Sequence, residues 1–399
     1  MNWNFLIKNK ESLTVTTDSR RVTPGCVFVA LKGEHFDGNQ FVDQARRDGA
    51  EYIISGENAL AELQDLARAW RRELGLPILG ITGTNGKTTT KELTAAVLSR
   101  KYKIYYTQGN LNNQLGVPLT LLSITRAHEM AIVEMGASHP GDIKELVEIA
   151  EPNYGLITNV GRAHLQGFGS FAGVMRTKRE LYDYLIAHDG QIFRNADNPY
   201  LFQMTLDALG NSGLSAHIIP YHTGRMPEGT HLVGEYNAEN VSAAMRIGDY
   251  FGVSREVALE AIRDYVPSNN RSQLMQTEKN TVVVDAYNAN PTSMTAAIEA
   301  FSRGERQTAN GECYILGAMR ELGTYSQLEH QNIVNMLLER KADKVLLVGE
   351  EYRETTAPYE IFDRVEDLAA YLEAHPLSGY RILLKGSRSN QLEKIIPLL

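Results

Sequence analysis

Between Gly80 and Leu93 the chain reads GITGTNGKTTTKEL, and no other stretch limits its fold as much. The apolar run Leu76-Pro77-Ile78-Leu79 precedes this segment, and Leu93, Val97 and Leu98 follow at helical spacing, so strand, glycine turn and helix are predicted in that order. Backbone N–H groups in such a turn face an anion at a helix N-terminus, where unpaired donors and the helix dipole both favour negative charge. Thr82, Gly83, Thr84, Asn85, Gly86, Lys87, Thr88 and Thr89 therefore form a candidate nucleotide cradle, with Lys87 reaching the outer phosphates and the Thr88 hydroxyl holding magnesium. The match departs from G-x-x-x-x-G-K-[ST]: Ile81 stands where the first glycine belongs, and Gly83 is an additional one. The plainer alternative is a Gly-rich turn with a surface lysine.

A chain of 399 residues accommodates two or three domains. Its 43% hydrophobic and 22% charged residues are ordinary for a globular protein, and a net charge of -8 offers no footprint for nucleic acid. Cys26 and Cys313 are far apart and make no metal or disulfide framework, which suits a reducing cytosol. No apolar run approaches membrane-spanning length, and the amino end MNWNFLIKNKESL lacks a cleavage signal, so a cytoplasmic enzyme or switch without membrane attachment is expected.

An α/β architecture of three domains follows from the rhythm of apolar runs. Residues 1–75 hold two short strands, VFVAL and EYIIS, separated by the helical FVDQARRDGA. Residues 76–267 begin with the cradle, and MAIVEMG and YGLITNVG have the continuous apolar character of buried parallel strands. Residues 268–399 restart the alternation with TVVVDAYN, ECYILGAM, KVLLVGE and RILLKGS, as a second, Rossmann-like α/β domain.

Several polar residues stand at predicted strand ends. Glu134 closes AIVE beside the cradle, where nucleotide-bound magnesium needs one or two carboxylates, although a solvated strand-end glutamate is common. His164 follows the next strand and is equally readable as structural. Lys178 lies on a helical stretch and by spacing alone reads as a solvated residue. Asn110, Asn112 and Asn113 precede a helix, where turn and capping roles also explain them. Asp285 ends TVVVD, a position from which a carboxylate can bond a ribose hydroxyl or simply form a turn.

TGTNGKTTTKE, GNLNNQLGVPLTLL, VEMGASHPGDI, NVGRAHLQGFGS, TKRELY, GEYNAENVSAA, DAYNANP and LLKGSRS occur in an order and coverage that resemble the Mur ligase family of peptidoglycan biosynthesis. DSRRVTPGCVFVALKGEHFDGNQF and KGSRS look most like the member that joins D-alanyl-D-alanine to UDP-N-acetylmuramoyl-tripeptide. The resemblance implies an amino-terminal domain for the UDP end of the substrate, a central P-loop ATPase with a mostly parallel sheet, and a carboxyl-terminal domain that closes on nucleotide and dipeptide. It implies ATP and one or two magnesium ions, with Glu134, His164 and Lys178 at the family's metal positions and Lys178 carbamylated. It places Asn237 and Asn240 in the adenine-side motif, Arg271, Asp285, Asn288 and Asn290 near adenosine and ribose, and Ser19 and Arg20 in the uridine region. Asn110, Asn112, Asn113 and Arg388 become candidate substrate contacts, and Lys87, Lys178, Glu134 and His164 the catalytic set. A monomer acting on small molecules, without nucleic acid or membrane, is the corresponding expectation.

The implied chemistry is activation of the tripeptide carboxylate by the γ-phosphate of ATP, followed by attack of the dipeptide amine on an acyl phosphate. Against the family pattern, Ala318 replaces an aspartate, Tyr236 a histidine and Ser138 an asparagine. The interval from Asn195 to Gly234 is also a few tens of residues short, which bears on one edge of the central sheet. Alternatives are the neighbouring ligase that adds the third residue, disfavoured by NANPTS where D-N-P-R belongs; folate polyglutamate ligase; a guanine-nucleotide switch, which would carry N-K-x-D; and a non-catalytic relative.

Overall fold

The computed structural model describes all residues except 1, 2, 35, 211–217, 235, 268–270 and 304–309. The boundary expected at Ser268, and His35 and Glu235 within the quoted motifs, lie outside the described residues.

Three sheets follow one another along the chain. β1 (Val15–Thr16), β2 (Val27–Val29) and β3 (Tyr52–Ile54) form a parallel sheet in chain order. β4 (Ile78–Thr82), β5 (Ile104–Tyr106), β6 (Met130–Glu134), β7 (Tyr154–Ile157), β8 (Gln191–Asn195) and β9 (Ile218–Tyr221) form the second, parallel throughout, in the order β5-β6-β4-β7-β8-β9. β10 (Gln273–Gln276), β11 (Thr281–Asp285), β12 (Glu312–Gly317), β13 (Lys344–Val348), β14 (Glu360–Phe362) and β15 (Arg381–Lys385) form the third in the order β10-β11-β15-β12-β13-β14, with β10 antiparallel to β11.

From β4 the chain runs to the edge strand β5, returns to β6 beside β4, and then crosses to the other side to add β7, β8 and β9 outward. In such sheets the ligand crevice lies beyond the carboxyl ends of the strands, at the point where the winding reverses. The Gly80–Leu93 segment emerges there, with β4 and β6 buried along their whole lengths and the Lys87–Leu98 helix directly behind. The short interval after Asn195 still supplies an edge strand: β9 pairs with β8 from Ile192–Ile218 to Asn195–Tyr221.

The Ala59–Leu74 helix joins the first sheet to the second. Ala59, Leu63, Leu66, Ala67 and Trp70 recur at helical spacing on its buried side, and Gly75, at φ +63°, ends it in the left-handed conformation that glycine adopts without steric cost. That face packs into one continuous core with Val117, Leu121, Ile143 and Leu146. Trp70 Nε1 donates to the Ile124 carbonyl at 2.9 Å, so the buried indole keeps its hydrogen bond; truncating such an aromatic to alanine costs about 3–5 kcal/mol. No helix among the described residues is long and apolar enough to cross a membrane.

Candidate active site

The cradle has the backbone that its glycines permit. Gly83 lies at φ +141° and Gly86 at φ +78°; a Cβ would sit 2.0 Å from Thr158 Oγ1 at the first and 2.3 Å from Asn240 Oδ1 at the second. Neighbouring strand ends clamp the turn, with Asn85 N–H donating to Asn159 Oδ1 at 3.0 Å and Gly161 N–H to Thr84 Oγ1 at 2.9 Å. Lys87 folds back on the turn and donates to the carbonyls of Gly83 (2.8 Å) and Thr84 (3.2 Å). Burial holds its ammonium below the usual lysine range, with Glu134 opposing and Arg271 adding to the shift.

Glu134 ends β6 facing the helix that starts at Lys87. It accepts from Thr88 Oγ1 at 3.0 Å and Asn112 Nδ2 at 2.9 Å, and Lys91 Nζ lies 3.6 Å away. Burial alone would push this carboxyl up; the charges of Lys91, Lys87 and Arg271 and the Asn112 amide outweigh it, and the net direction is downward. Sequence reasoning missed Lys91. Its signal was the four-residue spacing from Lys87, which puts both ammonium groups on one side of the helix.

His164, at φ +49°, presents Nδ1 to the carboxylate of Glu321, which lies beyond β12 in the third sheet's domain. Glu321 was also missed, because nothing local marks a glutamate that meets a histidine 157 positions earlier. Lys178 is 3% exposed, 5.7 Å from the Phe168 ring centroid, and shares a small cavity with Gly83, Lys87 and His164. Burial drives its ammonium well below the usual range, with the Lys87 charge contributing and Asp142 and Glu180 opposing. It has no hydrogen-bond or ion-pair partner among the described residues.

On the other side of the cradle, Asn240 Oδ1 accepts from Thr90 Oγ1 at 3.0 Å while its amide donates to Asn237 Oδ1 at 2.9 Å. From the third sheet, Lys385 Nζ reaches Asp285 Oδ2 at 2.5 Å and the Asn288 carbonyl at 3.1 Å. The Arg271 guanidinium stacks 3.9 Å above the Tyr287 ring centroid, its buried Nε without a hydrogen-bond partner among the described residues. Tyr236 bonds Ser272 through its hydroxyl at 2.5 Å. These groups enclose a cavity of about 810 Å³ whose wall includes Thr84, Asn85, Gly86, Lys87, Thr88 and Thr89. Asn110, Asn112, Asn113, Glu134, His164, Asn237, Asn240, Arg271, Asp285 and Asn288 also line it.

Other sequence candidates lie off this wall. Thr82 is fully buried and spends its hydroxyl on the Met135 carbonyl at 2.8 Å, beneath the turn. Ser19 and Arg20 are in the first sheet's domain, where Arg20 forks onto Asp18 at 2.9 and 2.8 Å. Arg388 lies 5.3 Å from the Tyr287 ring centroid and is not among the residues that line the cavity. Ala318 is buried against Gly349 in the third sheet's core.

The arrangement can bind a polyphosphate through the turn and Lys87, offer hard oxygen ligands through Thr88 and Glu134, and bond a nucleoside from the facing domain. The chain is similar to known proteins along most of its length. Residues 13–100 match the Mur ligase family catalytic domain, 81–213 the Mur ligase middle domain, and 270–388 the Mur ligase glutamate ligase domain. The UDP-N-acetylmuramoyl-tripeptide--D-alanyl-D-alanine ligase of Bacillus subtilis is 33% identical, across 96% of this chain and 92% of that protein. A MurF ligase from Thermotoga maritima, solved in complex with ADP, superposes with a TM-score of 0.84 at 26% identity over 98% of both chains. MurF from Acinetobacter baumannii gives 0.83 at 27% identity over 96% of this chain and 92% of that one.

Proposed function

The chain belongs to the Mur ligase family, and from that premise we infer that it is an ATP-dependent ligase adding D-alanyl-D-alanine to UDP-N-acetylmuramoyl-tripeptide in peptidoglycan precursor synthesis. The observation that carries the reading is the meeting of two halves in one cavity: the phosphate turn with Lys87 from the central sheet, and Arg271 and Asp285 from the third. A ligase that activates a carboxylate with ATP needs this closure, because it must align three charged partners and exclude water.

In the proposed reaction an oxygen of the terminal tripeptide carboxylate attacks the γ-phosphorus, and the bond from that phosphorus to ADP breaks. The dipeptide amine, neutral when it reacts, then attacks the acyl carbon, the carbon–oxygen bond to phosphate breaks, and the nitrogen gives up one proton while keeping the other as the amide N–H. The N–H groups of the turn and Lys87 hold the phosphates and neutralise their growing charge. Lys87 is pre-aimed for this: its two present acceptors are carbonyls of the turn itself, which incoming phosphate oxygens would replace.

Magnesium fits the donors present. Thr88 and Glu134 supply hard oxygens at the mouth of the turn, and no cluster of three or more His, Cys, Asp or Glu able to cage a cation exists among the described residues. That is the pattern of an ion carried largely by phosphate oxygens and water, which would shield phosphate charge during transfer. His164 and Lys178 complete the proposed ligand set. Lys178 suits carbamylation because uptake of carbon dioxide requires the neutral amine, which its burial favours. Loss of a 13C-carbamate resonance in Lys178→Ala, together with most of the activity, would support that assignment; wild-type-like turnover would remove it. Action as a monomer in the cytoplasm belongs to the same proposal.

The decisive experiment is phosphate release from ATP and magnesium with UDP-N-acetylmuramoyl-tripeptide, with and without D-alanyl-D-alanine, and the product weighed by mass spectrometry. Release that requires both substrates, with a product heavier by the dipeptide, is expected. ATP binding without release under any combination would overturn the reading.

A further inference from the structure

We propose that Glu321 is a positioning residue for His164, delivered across the domain boundary so that the histidine is set for its task only when the carboxyl-terminal domain is docked. The proposal deepens the ligase reading and rests on it for the meaning of His164.

Two observations carry it independently. The first is the pairing: His164 Nδ1 lies against the Glu321 carboxylate at ion-pair range, and both residues line the cavity. A carboxylate on Nδ1 fixes the tautomer and ring orientation, leaving the Nε2 lone pair free to act as a ligand or acceptor. The second is conformational. His164 at φ +49° and Glu321 at φ +60° both occupy the left-handed region, which few residues other than glycine adopt. Such outliers persist where surrounding structure over-determines them, and here the two strained residues meet.

The surroundings show how Glu321 is held. His330, fully buried, accepts the Met319 N–H on Nε2 at 3.0 Å and bonds the Ser326 carbonyl through Nδ1 at 2.7 Å, anchoring the root of the turn that follows β12. Arg320, the residue before Glu321, pairs with Glu351 and donates to Ser389 Oγ at 3.2 Å, which ties down the same turn. The Glu321 carbonyl accepts from Gln166 N–H at 3.2 Å, and Gly323 lies beside the Gln166 side chain. The short segment carrying His164 is thus gripped by backbone and side chain of the other domain.

The test is the tautomer of His164, read from long-range proton–nitrogen spectra of 15N-histidine-labelled protein at about pH 8, without nucleotide and again with ADP. In the wild type we expect Nδ1 protonated and Nε2 bare. Glu321→Ala and the one-methylene-shorter Glu321→Asp are expected to release the ring to the Nε2–H form, and His330→Phe to do the same from a distance. In ligase assays the Glu321 variants should lose about 10- to 100-fold in kcat, with the KM for ATP nearly unchanged. An Nε2–H tautomer in the wild type, or one that no variant changes in either state, would overturn the proposal. Absence of ligase turnover would sink the functional reading while leaving the tautomer result intact. Should Glu321→Ala fail to fold, Glu321→Asp and His330→Phe decide the matter.

Discussion

Asn290 Nδ2 donates to Asn85 Oδ1 at 2.7 Å, joining the phosphate turn to a residue 205 positions later that stands just before a helix. Asn290 is also the N-cap of the Pro291–Ser302 helix, accepting Ser293 N–H at 2.9 Å. One side chain therefore both starts a helix in the third sheet's domain and touches the nucleotide turn of the second. Its two roles can be separated. Asn290→Ala should lower stability by about 1 kcal/mol through the lost cap. Asn290→Ser, which still caps, should keep stability yet weaken ATP turnover, and denaturant unfolding beside steady-state kinetics would check both.

Lys87→Ala should reduce ATP turnover by about 100-fold or more, the order expected for removing a donor aimed at developing phosphate charge. Phosphate release at saturating substrates measures it, and unchanged kinetics would mean that the turn does not cradle phosphate.

Lys91 and Glu134 are an inward-facing pair, 1% and 2% exposed. Lys91→Met would strand the carboxylate, at a cost of about 3–5 kcal/mol for an uncompensated buried charge, toward the low end because Lys87 and Arg271 remain nearby. Adding Glu134→Gln should recover most of the loss. Unfolding of the two single variants and the double variant gives the coupling, and simple additivity would show that the pair does not interact.

Burial is the largest influence on His330 and holds its imidazole below the ordinary value of 6.5, while the Ser326 carbonyl and the charges of Glu351 and Glu354 oppose it and Arg320 reinforces it. The unfolded chain therefore takes up a proton near pH 6.5 that the folded chain resists. This contribution to stability is complete above that value and is lost as pH falls toward the folded pKa, at up to about 1.4 kcal/mol per pH unit. Unfolding free energy measured between neutral and acidic pH should fall less steeply in His330→Phe than in the wild type.

Cys26 and Cys313 are both fully buried, and burial pushes the Cys313 thiol up to about 12. Iodoacetamide at neutral pH should leave both unmodified in native protein and alkylate both after denaturation, as intact mass would show.

The central strands and the phosphate turn were legible in the sequence because their signals are local. Continuous apolar runs such as MAIVEMG and TVVVDAYN became β6 and β11, and the glycines of TGTNGK marked a turn that demands positive φ. Short edge strands left little trace: β1 has two residues, and β5 and β14 three each, too few for a period to register. The order of motifs established the family and the succession of domains.

Only the tertiary structure decided which polar residues work together. Lys91 reads as an ordinary helical lysine until β6 brings Glu134 to 3.6 Å, and Lys178 reads as solvated until the fold buries it. Glu321 has no local mark at all, because its partner arrives through the packing of a different sheet. Periodicity and glycine placement are properties of neighbouring residues, and a sequence displays them directly. The charge, desolvation and hydrogen bonding that make a site depend on residues 100 or 200 positions apart, and exist only once the domains have docked.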